Sequence, residues 1–405
     1  MKVLLVGSGG REHALAWRLA QTEGMEVHAA PGNPGIAELG ECHPVRAHDA
    51  EGLLSLARTL DADLVVIGPE APLVTGVADE LRHAGIAVFG PSAAAARIEG
   101  SKSFAKELMR VAGVPTAASL SVARPPCVVK LDGLAAGKGV FVCHTAAELE
   151  AGLKAAAKAG GQVVIEELLE GHELSVFAIC DGSRALPLAP ARDFKRLGDS
   201  DEGPNTGGMG SYSPVAEIGP DRLEEIVATV HAPVLDELGR RGTPFIGLLY
   251  AGLMLTEAGL SVLEFNCRFG DPETQSILAR LEGDLLDALA AAAGGDLGET
   301  ELGARDDAAV TVVLAGGDYP ERSDSGGLIE GIEEARATGA LVFHAGTAVR
   351  NGRLVTNGGR VLNVTAHGGT LADARAAAYE ACERITFPRM HYRRDIAAEE
   401  AGVAR

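Results

Sequence analysis

The stretch VLEFNCRFGDPETQ (residues 262–275) carries polar side chains at alternate positions of a predicted strand. Glu264 and Asn266 are two residues apart, so their side chains share one face of that strand. Arg268 continues the alternation, and Asp271 and Glu273 follow in the loop. A carboxylate and an amide oxygen side by side suit a hard cation such as Mg²⁺ that holds phosphates. A salt-bridged surface strand is the alternative, and we favour the functional site because such a polar face contributes nothing to packing.

The chain before this strand predicts its structural context. The apolar run at 245–256 is joined to it by Glu-Ala-Gly, which is typical of a hairpin, and an amphipathic helix precedes that run near residues 221–240. Farther upstream, the basic segment ARDFKR leads into a loop rich in glycine and proline at 198–214. This loop is too long for a simple connection. We therefore interpret it as a mobile binding loop or lid, the alternative being disordered filler.

A glycine-rich loop lies between two further apolar runs, in VVKLDGLAAGKGV (residues 128–140). It does not fit the Walker A pattern, because Gly133 and Gly137 are too close and no Ser or Thr follows Lys138. The flanking runs predict a hairpin, so a plain turn is the alternative to a ligand site. Successive N–H groups in such a turn bind anions, and Lys130, on an otherwise aliphatic strand, is costly to bury without one. We therefore expect this region to contact phosphate.

The segment VVIEELLEGHELSV (residues 163–176) places acidic side chains after another apolar run. Acidic pairs are common at the solvated ends of strands. By itself, this segment therefore does not indicate a site.

Strand-like and helix-like segments alternate through the first hundred residues, which predicts a doubly wound parallel sheet. The segment VLLVGSGGREHAL (residues 3–15) begins like a dinucleotide-binding fingerprint, with glycines where a strand turns into a helix. Glu12 occupies the third glycine position, which weakens the prediction of a dinucleotide site. A plain tight turn and a loop that binds a small phosphate are the competing interpretations.

The later parts of the chain predict α+β structure. After a first domain at 1–100, we expect a central domain at 101–116 and 186–305. A small lid module at 117–185 is inserted into it, and a closing domain follows at 306–405.

The composition restricts the classes of function. The net charge of −20 argues against general nucleic-acid binding, which requires a basic surface. No apolar run approaches the length of a transmembrane helix, and the amino terminus does not resemble a signal peptide, so a cytoplasmic protein is expected. The six scattered cysteines predict reduced thiols rather than a disulfide framework or a zinc site. We interpret the adjacent Cys42 and His43 as ordinary strand-edge residues.

Taken together, these segments resemble the ATP-grasp enzymes, and most closely the glycinamide ribonucleotide synthetase family. Any single match would be weak, but the matches follow in order along nearly the whole chain. The matching stretches are GSGGREHALAW, APGNPG, GPEAPLVTGV, FGPS, EGSKSFAK, DGLAAGKGV, IEELLEGHELS, GPNTGGMGSYSP, GLLYAGLM, EFNCRFGDPETQ, FHAGT and VTNGGRVL. The resemblance implies an α/β and α+β fold of ATP-grasp architecture, in which the module at 117–185 is the ATP lid.

The resemblance also implies an activity. An ATP-dependent carboxylate–amine ligase of purine biosynthesis would join glycine to 5-phosphoribosylamine and release ADP and phosphate. Because oxide is too poor a leaving group for direct attack by an amine, ATP would first convert glycine to glycyl phosphate. Positioning and charge neutralisation would then carry the catalysis. The expected partners are these small molecules, with no nucleic acid or membrane, and the chain is expected as a monomer or small homo-oligomer.

The family's functional residues map onto matching positions of this sequence. Catalytic roles are implied for Arg268, Lys130 and Asp193. Contacts with ATP are implied for Lys102, Lys130, Gly133, Gly137, Lys138, Gly139, Glu166, Leu169 and Glu173. Contacts with the other two substrates are implied for Gly9, Gly10, Glu12, Pro69, Glu70, Asn205, Thr206, Gly207, Met209, Arg268 and Asp271. Glu264 and Asn266 are the implied ligands of Mg²⁺ or Mn²⁺.

The sequence departs from the family pattern at three places. The segment between Pro115 and Val128 is shorter than usual, which trims the small module but touches no motif. Arg192 and Phe194 stand where the family usually has other residues, which leaves their roles open. The run GLLYAGLMLT lacks the carboxylate that many ATP-grasp relatives carry on this strand, which leaves the number of metal ions open.

Three competing functions stay open at this point. The nearest is an ATP-grasp ligase that uses a different acid. An NAD-dependent oxidoreductase built on the first domain belongs to another class of enzyme, and Glu12 at the third glycine position speaks against it. A nucleotide-binding module without catalytic activity is the third.

Overall fold

The computed structural model describes residues 1–134 and 139–403, and its first hundred residues alternate strands and helices as predicted. The elements of this region are β1 (Lys2–Gly7), α1 (Gly10–Leu19), β2 (Glu26–Pro31), β3 (Glu41–Cys42), α2 (Ala50–Leu60), β4 (Leu64–Ile67), α3 (Glu70–Val74), α4 (Val77–His83), β5 (Val88–Phe89) and α5 (Ala93–Gly100). The strands pair in parallel in the order β3-β2-β1-β4-β5. The order reverses between β1 and β4, and the carboxyl ends of these two strands therefore flank a crevice suited to a ligand.

A small antiparallel sheet follows, in the order β7-β6-β8. The elements here are α6 (Lys102–Ala112), β6 (Cys127–Leu131), β7 (Val140–Cys143), α7 (Ala146–Lys158) and β8 (Val163–Glu167). A capping box begins α7, because Thr145 and Glu148 each accept a hydrogen bond from the other's backbone. The loop between β6 and β7 is the predicted hairpin, although its residues 135–138 lie outside the described part of the chain.

The next part of the chain contains the polar strand that carries Glu264 and Asn266. Its elements are β9 (His172–Asp181), β10 (Ala185–Pro187), β11 (Arg192–Asp193), β12 (Gly210–Ser213), α8 (Pro220–Ile226), α9 (Ala232–Arg240), β13 (Ile246–Thr256), β14 (Gly259–Asn266), α10 (Glu273–Arg280), β15 (Leu281–Glu282), α11 (Leu285–Ala293) and β16 (Gly303–Ala304). A turn of π-helix at 227–231 joins α8 to α9, which makes the predicted helix near 221–240 continuous. β13 and β14 form the predicted hairpin within an antiparallel sheet of order β10-β9-β13-β14.

The closing part of the chain is α+β, as predicted. Its elements are β17 (Ala308–Ala315), β18 (Asp324–Leu328), α12 (Ile332–Arg336), β19 (Leu341–His344), β20 (Thr347–Arg350), β21 (Arg353–Gly358), β22 (Arg360–Gly368) and α13 (Leu371–Cys382). One sheet has the order β18-β21-β20 and the other the order β11-β12-β17-β22-β19.

Two strands belong to sheets other than those expected from the sequence. β9, placed by the sequence in the small module, pairs along its whole length with β13 of the larger sheet. β12, placed in the central region, pairs with β17 of the closing region. Both strands are buried on both faces, and a strand without alternation carries no information about which sheet it joins.

Aliphatic side chains dominate the core. One large cluster runs from the parallel sheet through the central sheet to the closing sheets. The small sheet has a separate core around Cys127, Val129 and Cys143. All six cysteines are free thiols, as predicted. Within residues 1–134 and 139–403, no helix combines the length and apolarity needed to cross a membrane.

Candidate active site

A cleft of about 1040 Å³ opens between the parallel sheet, the small sheet and the strand β14. It is lined by residues that lie far apart in the sequence. The predicted site residues that line it are Pro69, Glu70, Lys102, Lys130, Gly133, Gly139, Glu166, Leu169, Glu173, Asp193, Asn205, Thr206, Gly207, Glu264, Asn266, Arg268 and Asp271. The cleft therefore brings together most of the predicted site.

The other predicted positions do not line this cleft. Gly9, Gly10 and Glu12 lie at the start of α1, and Met209 is fully buried behind the loop that precedes β12. Their assigned contacts with substrate stay predictions. Gly137 and Lys138 lie outside the described residues.

Lys130 is held in the cleft by two acceptors. Its Nζ lies 2.7 Å from Glu166 Oε2 and donates to Leu263 O at 2.8 Å. Lys106 Nζ lies 3.1 Å from the other oxygen of the same carboxylate, and burial lowers the pKa of Lys106. One buried carboxylate thus holds two ammonium groups at the cleft wall. Lys102 stands at the start of α6, and its Nζ donates to Gly133 O at 3.2 Å.

Glu264 and Asn266 share one face of β14, as their spacing predicts. β14 pairs with β13, and the register sets Glu264 opposite Gly252 and Asn266 opposite Tyr250. Burial acts to raise the pKa of Glu264, but the positive charges of Lys195, Lys130, Lys102 and Arg268 outweigh it, and the pKa is lower than usual. The structure thus places an ionised carboxylate and the amide of Asn266, whose Oδ1 accepts from Arg268 Nη2 at 3.5 Å, along one cleft. Oxygen ligands of this kind suit Mg²⁺ or Mn²⁺.

Arg268 lies between two carboxylates. Its Nε lies 3.2 Å from Glu70 Oε2 and its Nη2 lies 3.2 Å from Glu99 Oε1. Burial works against the charge on Arg268, but Glu99 and Glu70 raise its pKa above the usual value. Burial likewise acts to raise the pKa of Glu70, but Arg268 and Arg11 lower it to about 2. The guanidinium is therefore fixed and fully charged at the junction of the first and central regions.

Asp193 and Lys195 form a second charged pair in the cleft. Burial raises the pKa of Asp193 to about 7, against the opposing charge of Lys195. Lys195 Nζ donates to Glu173 Oε2 at 2.6 Å, and its pKa is raised by Asp193 and Glu173 despite burial. Asp193 is thus a carboxyl group that can change its protonation state near neutral pH.

The strand β13 contributes the hydroxyl of Tyr250 to the cleft. Tyr250 Oη donates to Glu273 Oε1 at 2.8 Å and lies 2.9 Å from Ser175 Oγ. Burial raises the pKa of Tyr250 well above its usual value, so the phenol stays protonated. Its acceptor, Glu273, lies at the start of α10 and also lines the cleft.

The glycine-rich loop before β12 is held by the closing region. Arg360 Nη1 donates to Gly207 O at 2.7 Å, and Arg360 Nη2 lies 3.1 Å from Asp271 Oδ2. The backbone N–H of Gly207 donates to Tyr319 Oη at 2.9 Å. On the other side, Asn205 Nδ2 donates to Val140 O at 3.4 Å, which connects this loop to the small sheet. The loop thus spans the cleft between the small sheet and the closing region.

Glu12 lies at the carboxyl ends of β1 and β4 and folds back on its own helix. Its Oε2 accepts from Gly9 N at 2.6 Å, and its Oε1 accepts from Arg11 Nε at 2.6 Å. A Cβ at Gly68 would lie 2.1 Å from Glu12 Oε1, so only glycine fits there. This carboxylate occupies the helix N-terminus, where a dinucleotide fingerprint would bind a pyrophosphate. The arrangement disfavours an NAD site.

The two positions that depart from the family pattern have clear contacts. Arg192 Nη1 lies 3.0 Å from Glu400 Oε1, and its Nε donates to Glu173 O at 2.9 Å. The guanidinium of Arg393 lies over the Phe194 ring, 4.9 Å from its centroid. Both residues thus anchor the carboxyl-terminal segment at the edge of the cleft.

Sequence reasoning assigned no role to several charged residues of the site. Lys106 and Glu99 belong to matching stretches but stand out by no spacing of their own. Lys195 stands in the basic segment ARDFKR, and Arg360 stands in the matching stretch VTNGGRVL. The signal that could have identified these residues is a single charged residue inside an otherwise polar or glycine-rich motif.

Three domain models of one family match the chain in succession. The N domain of phosphoribosylglycinamide synthetase matches residues 1–99, its ATP-grasp (A) domain residues 100–274, and its C domain residues 309–399. These matches cover most of the chain.

Full-length relatives agree with the domain matches. The chain is 52% identical over 419 residues to the phosphoribosylamine–glycine ligase of Streptomyces coelicolor, which covers 99% of this chain and 100% of that protein. The crystal structure of the phosphoribosylamine–glycine ligase of Thermotoga maritima superposes with a TM-score of 0.86 at 37% identity, covering 98% and 100% of the two chains. A likeness of fold alone extends to the biotin carboxylase domain of Hydrogenobacter thermophilus 2-oxoglutarate carboxylase, solved with MgADP and bicarbonate, with a TM-score of 0.72 at 17% identity over 96% and 91%.

Proposed function

The chain belongs to the phosphoribosylglycinamide synthetase family, and we propose that it joins glycine to 5-phosphoribosylamine in an ATP-dependent ligation. The products are glycinamide ribonucleotide, ADP and phosphate, in a step of purine biosynthesis. Family membership confirms the resemblance and the ATP-grasp fold expected from the sequence. The observation that carries the proposal is the single cleft in which Lys102, Lys130 and Arg268 face Glu264 and Asn266.

The phosphates of ATP would bind between the two lysines and β14. Lys130 and Lys102 are already held at the cleft wall by protein acceptors, so little reorganisation is needed to receive a nucleotide. Glu264 and Asn266 would hold a Mg²⁺ or Mn²⁺ ion, since both offer oxygen ligands. When bound, that ion would neutralise charge on the transferred phosphoryl group. Backbone groups at Glu166 and Leu169 are the proposed contacts of the adenine.

The acid and the amine meet in the remaining space of the cleft. Glycine must present its carboxylate to the γ-phosphoryl group, and the positive charge of Arg268 is suited to orient it. The resulting glycyl phosphate is attacked at its acyl carbon by the amine of phosphoribosylamine, and phosphate leaves. That amine must lose a proton. Asp193, with a pKa raised to about 7, is suited to accept it.

Contacts across the cleft would protect the glycyl phosphate intermediate from water. Glycyl phosphate reacts with water, so the site must exclude it. Asn205 and Val140 already join the glycine-rich loop to the lid sheet, and Arg360 joins the same loop to the closing region. These contacts would keep bulk water from the acyl carbon. Phosphoribosylamine would enter from the side of Pro69 and Glu70.

We further propose a cytoplasmic enzyme, a monomer or small homo-oligomer, that acts on small molecules and on neither nucleic acid nor membrane. An ATP-grasp ligase for another acid is the remaining alternative.

Release of ADP with defined substrates tests the activity. We expect ADP only when glycine and phosphoribosylamine are both present, and replacement of glycine by other small acids should stop it. Glu264→Gln should lower the rate at least about 100-fold, the size of effect seen when one preorganised electrostatic contact is removed. Glu257→Gln, in the exposed turn between β13 and β14, is the matched control and should be unchanged. Turnover of a different acid and amine, with glycine ignored, would overturn the assignment.

A further inference from the structure

A second group of metal-binding side chains lies at the edge of the parallel sheet, away from the cleft. β3 pairs with β2, and the register sets Glu41 directly opposite His28. Side chains alternate along a strand, so His43 projects from the same face as Glu41, and Cys42 projects from the other. Two imidazoles and one carboxylate therefore meet on one face, and none of them lines the cleft.

The donor atoms are close enough to share one ion. His28 Nδ1 lies 3.1 Å from His43 Nε2. One oxygen of Glu41 lies 3.9 Å from the same His28 Nδ1, and with one ligand atom taken from each residue the three atoms lie within 4.8 Å of one another. Zinc–nitrogen bonds of about 2.05 Å in a tetrahedron set neighbouring ligand atoms about 3.3 Å apart. The imidazoles are near that separation, and Glu41, whose side chain is 69% exposed, can rotate to complete the group.

A plain hydrogen bond between two neutral histidines is the alternative explanation. Such a bond would place one proton between the two rings, and it would not involve Glu41. Nε2 of His28 is buried and has no hydrogen-bond partner among the described residues, so His43 and Glu41 are the polar groups that orient this ring.

We propose that His28, His43 and Glu41 bind one first-row divalent cation, with Zn²⁺ preferred. Two imidazole ligands suit zinc and its neighbours, whereas Mg²⁺ takes oxygen ligands, so this site and Glu264 with Asn266 select different ions. Three protein ligands leave a fourth position for water. The sequence pointed away from zinc because it offered only the pair Cys42–His43. The proposed ligands are instead Glu41 and His43, which are two residues apart, and His28 of the neighbouring strand β2.

The ion would stabilise the edge of the first domain. β3 contains only two residues, and a metal bond from each strand would fix it against β2. The chain between the two strands carries Asn33, whose Nδ2 donates to Ser8 O at 2.9 Å and to His344 O at 2.8 Å. That segment therefore joins the first domain to the closing region, and the proposed ion would hold one end of it.

Titration of the metal-free, full-length protein with ZnCl₂, in excess Mg²⁺, tests the proposal by calorimetry. We expect one Zn²⁺ per chain. The substitutions His28→Asn and His43→Asn should each raise the dissociation constant of zinc at least about tenfold, since even outer-shell partners of a metal contribute that much. His83→Asn, on the surface of α4, is the matched control and should bind as the wild type does. Zinc should also raise the unfolding temperature of the wild type but not of His43→Asn.

Two results would overturn the proposal. One is a wild-type titration without a one-to-one event. The other is wild-type affinity in His43→Asn, which would mean that zinc binds elsewhere. Ligase activity, unchanged in all these variants, reports that they are folded. If either histidine variant fails to fold, Glu41→Gln decides the matter, because an exposed side chain can be replaced without loss of core, and the same weakening is expected.

Discussion

Replacing Glu70 by Gln probes the electrostatics of the cleft. Arg268 Nε lies 3.2 Å from Glu70 Oε2. Burial acts to raise the pKa of Glu70, but Arg268 and Arg11 lower it from 4.5 to about 2. Because one pKa unit corresponds to about 1.4 kcal/mol, the ionised carboxylate stabilises the folded protein by roughly 3 kcal/mol at neutral pH. Glu70→Gln should lower the free energy of unfolding by about that amount.

The pH dependence of this difference has a defined sign. The pKa of Glu70 is lower in the folded state than in the unfolded state, so its stabilisation is nearly complete above about pH 5 and decreases as the pH falls toward 2. The gap between wild type and Glu70→Gln should therefore be roughly 1 kcal/mol smaller at pH 4 than at pH 7.

Equilibrium urea unfolding, followed by circular dichroism, measures both quantities. Glu23→Gln, in the exposed turn between α1 and β2, is the matched control and should leave the free energy of unfolding unchanged. In an Arg268→Met background, Glu70→Gln should cost much less, because the main attractive charge is gone. Equal stability of wild type and Glu70→Gln at pH 7 would refute the reasoning, as would a cost that does not depend on Arg268.

Three further expectations concern other parts of the cleft. Lys130→Met should raise the dissociation constant of ATP about tenfold or more, which corresponds to the loss of one charge-assisted hydrogen bond. Lys154→Met, on the surface of α7, is the control and should leave this constant unchanged, and titration calorimetry measures both. Burial raises the pKa of Asp193 to about 7, so the ligand-free protein should lose stability as the pH rises from about 4 to 7, and Asp193→Asn should flatten this slope in thermal unfolding. Arg360→Ala should speed hydrogen exchange about tenfold in the glycine-rich loop before β12, with Arg353→Ala, on the exposed side of β21, as a control without effect.

Local patterns made part of the site predictable. The side chains of Glu264 and Asn266 share a face because alternation along a strand is fixed by backbone geometry. The capping box at Thr145 follows from residues three positions apart. The hairpin around the phosphate loop follows from its flanking apolar runs, and the position of Lys130 on its strand follows from the same pattern.

Contacts between distant segments could not be predicted in the same way. Arg360 reaches Asp271 across 89 positions, and Lys106 of α6 reaches Glu166 of β8. Neither contact leaves a periodic signal in the sequence. The proposed metal site at the sheet edge could not be predicted for a related reason. The register between β2 and β3, which the sequence does not reveal, sets His28 opposite Glu41.

Strand β12 limits how the chain can be recombined with its relatives. It pairs with β17 from Gly210 opposite Val312 to Ser213 opposite Ala309. A fragment that ends before residue 306 would leave β12 paired only with the two-residue strand β11, with its other edge open and its buried side chains uncovered. The glycine-rich loop would also lose Arg360, which holds it from the closing region. Chimeras that exchange only the closing region between family members should therefore alter the catalytic cleft, even when their junction lies outside it.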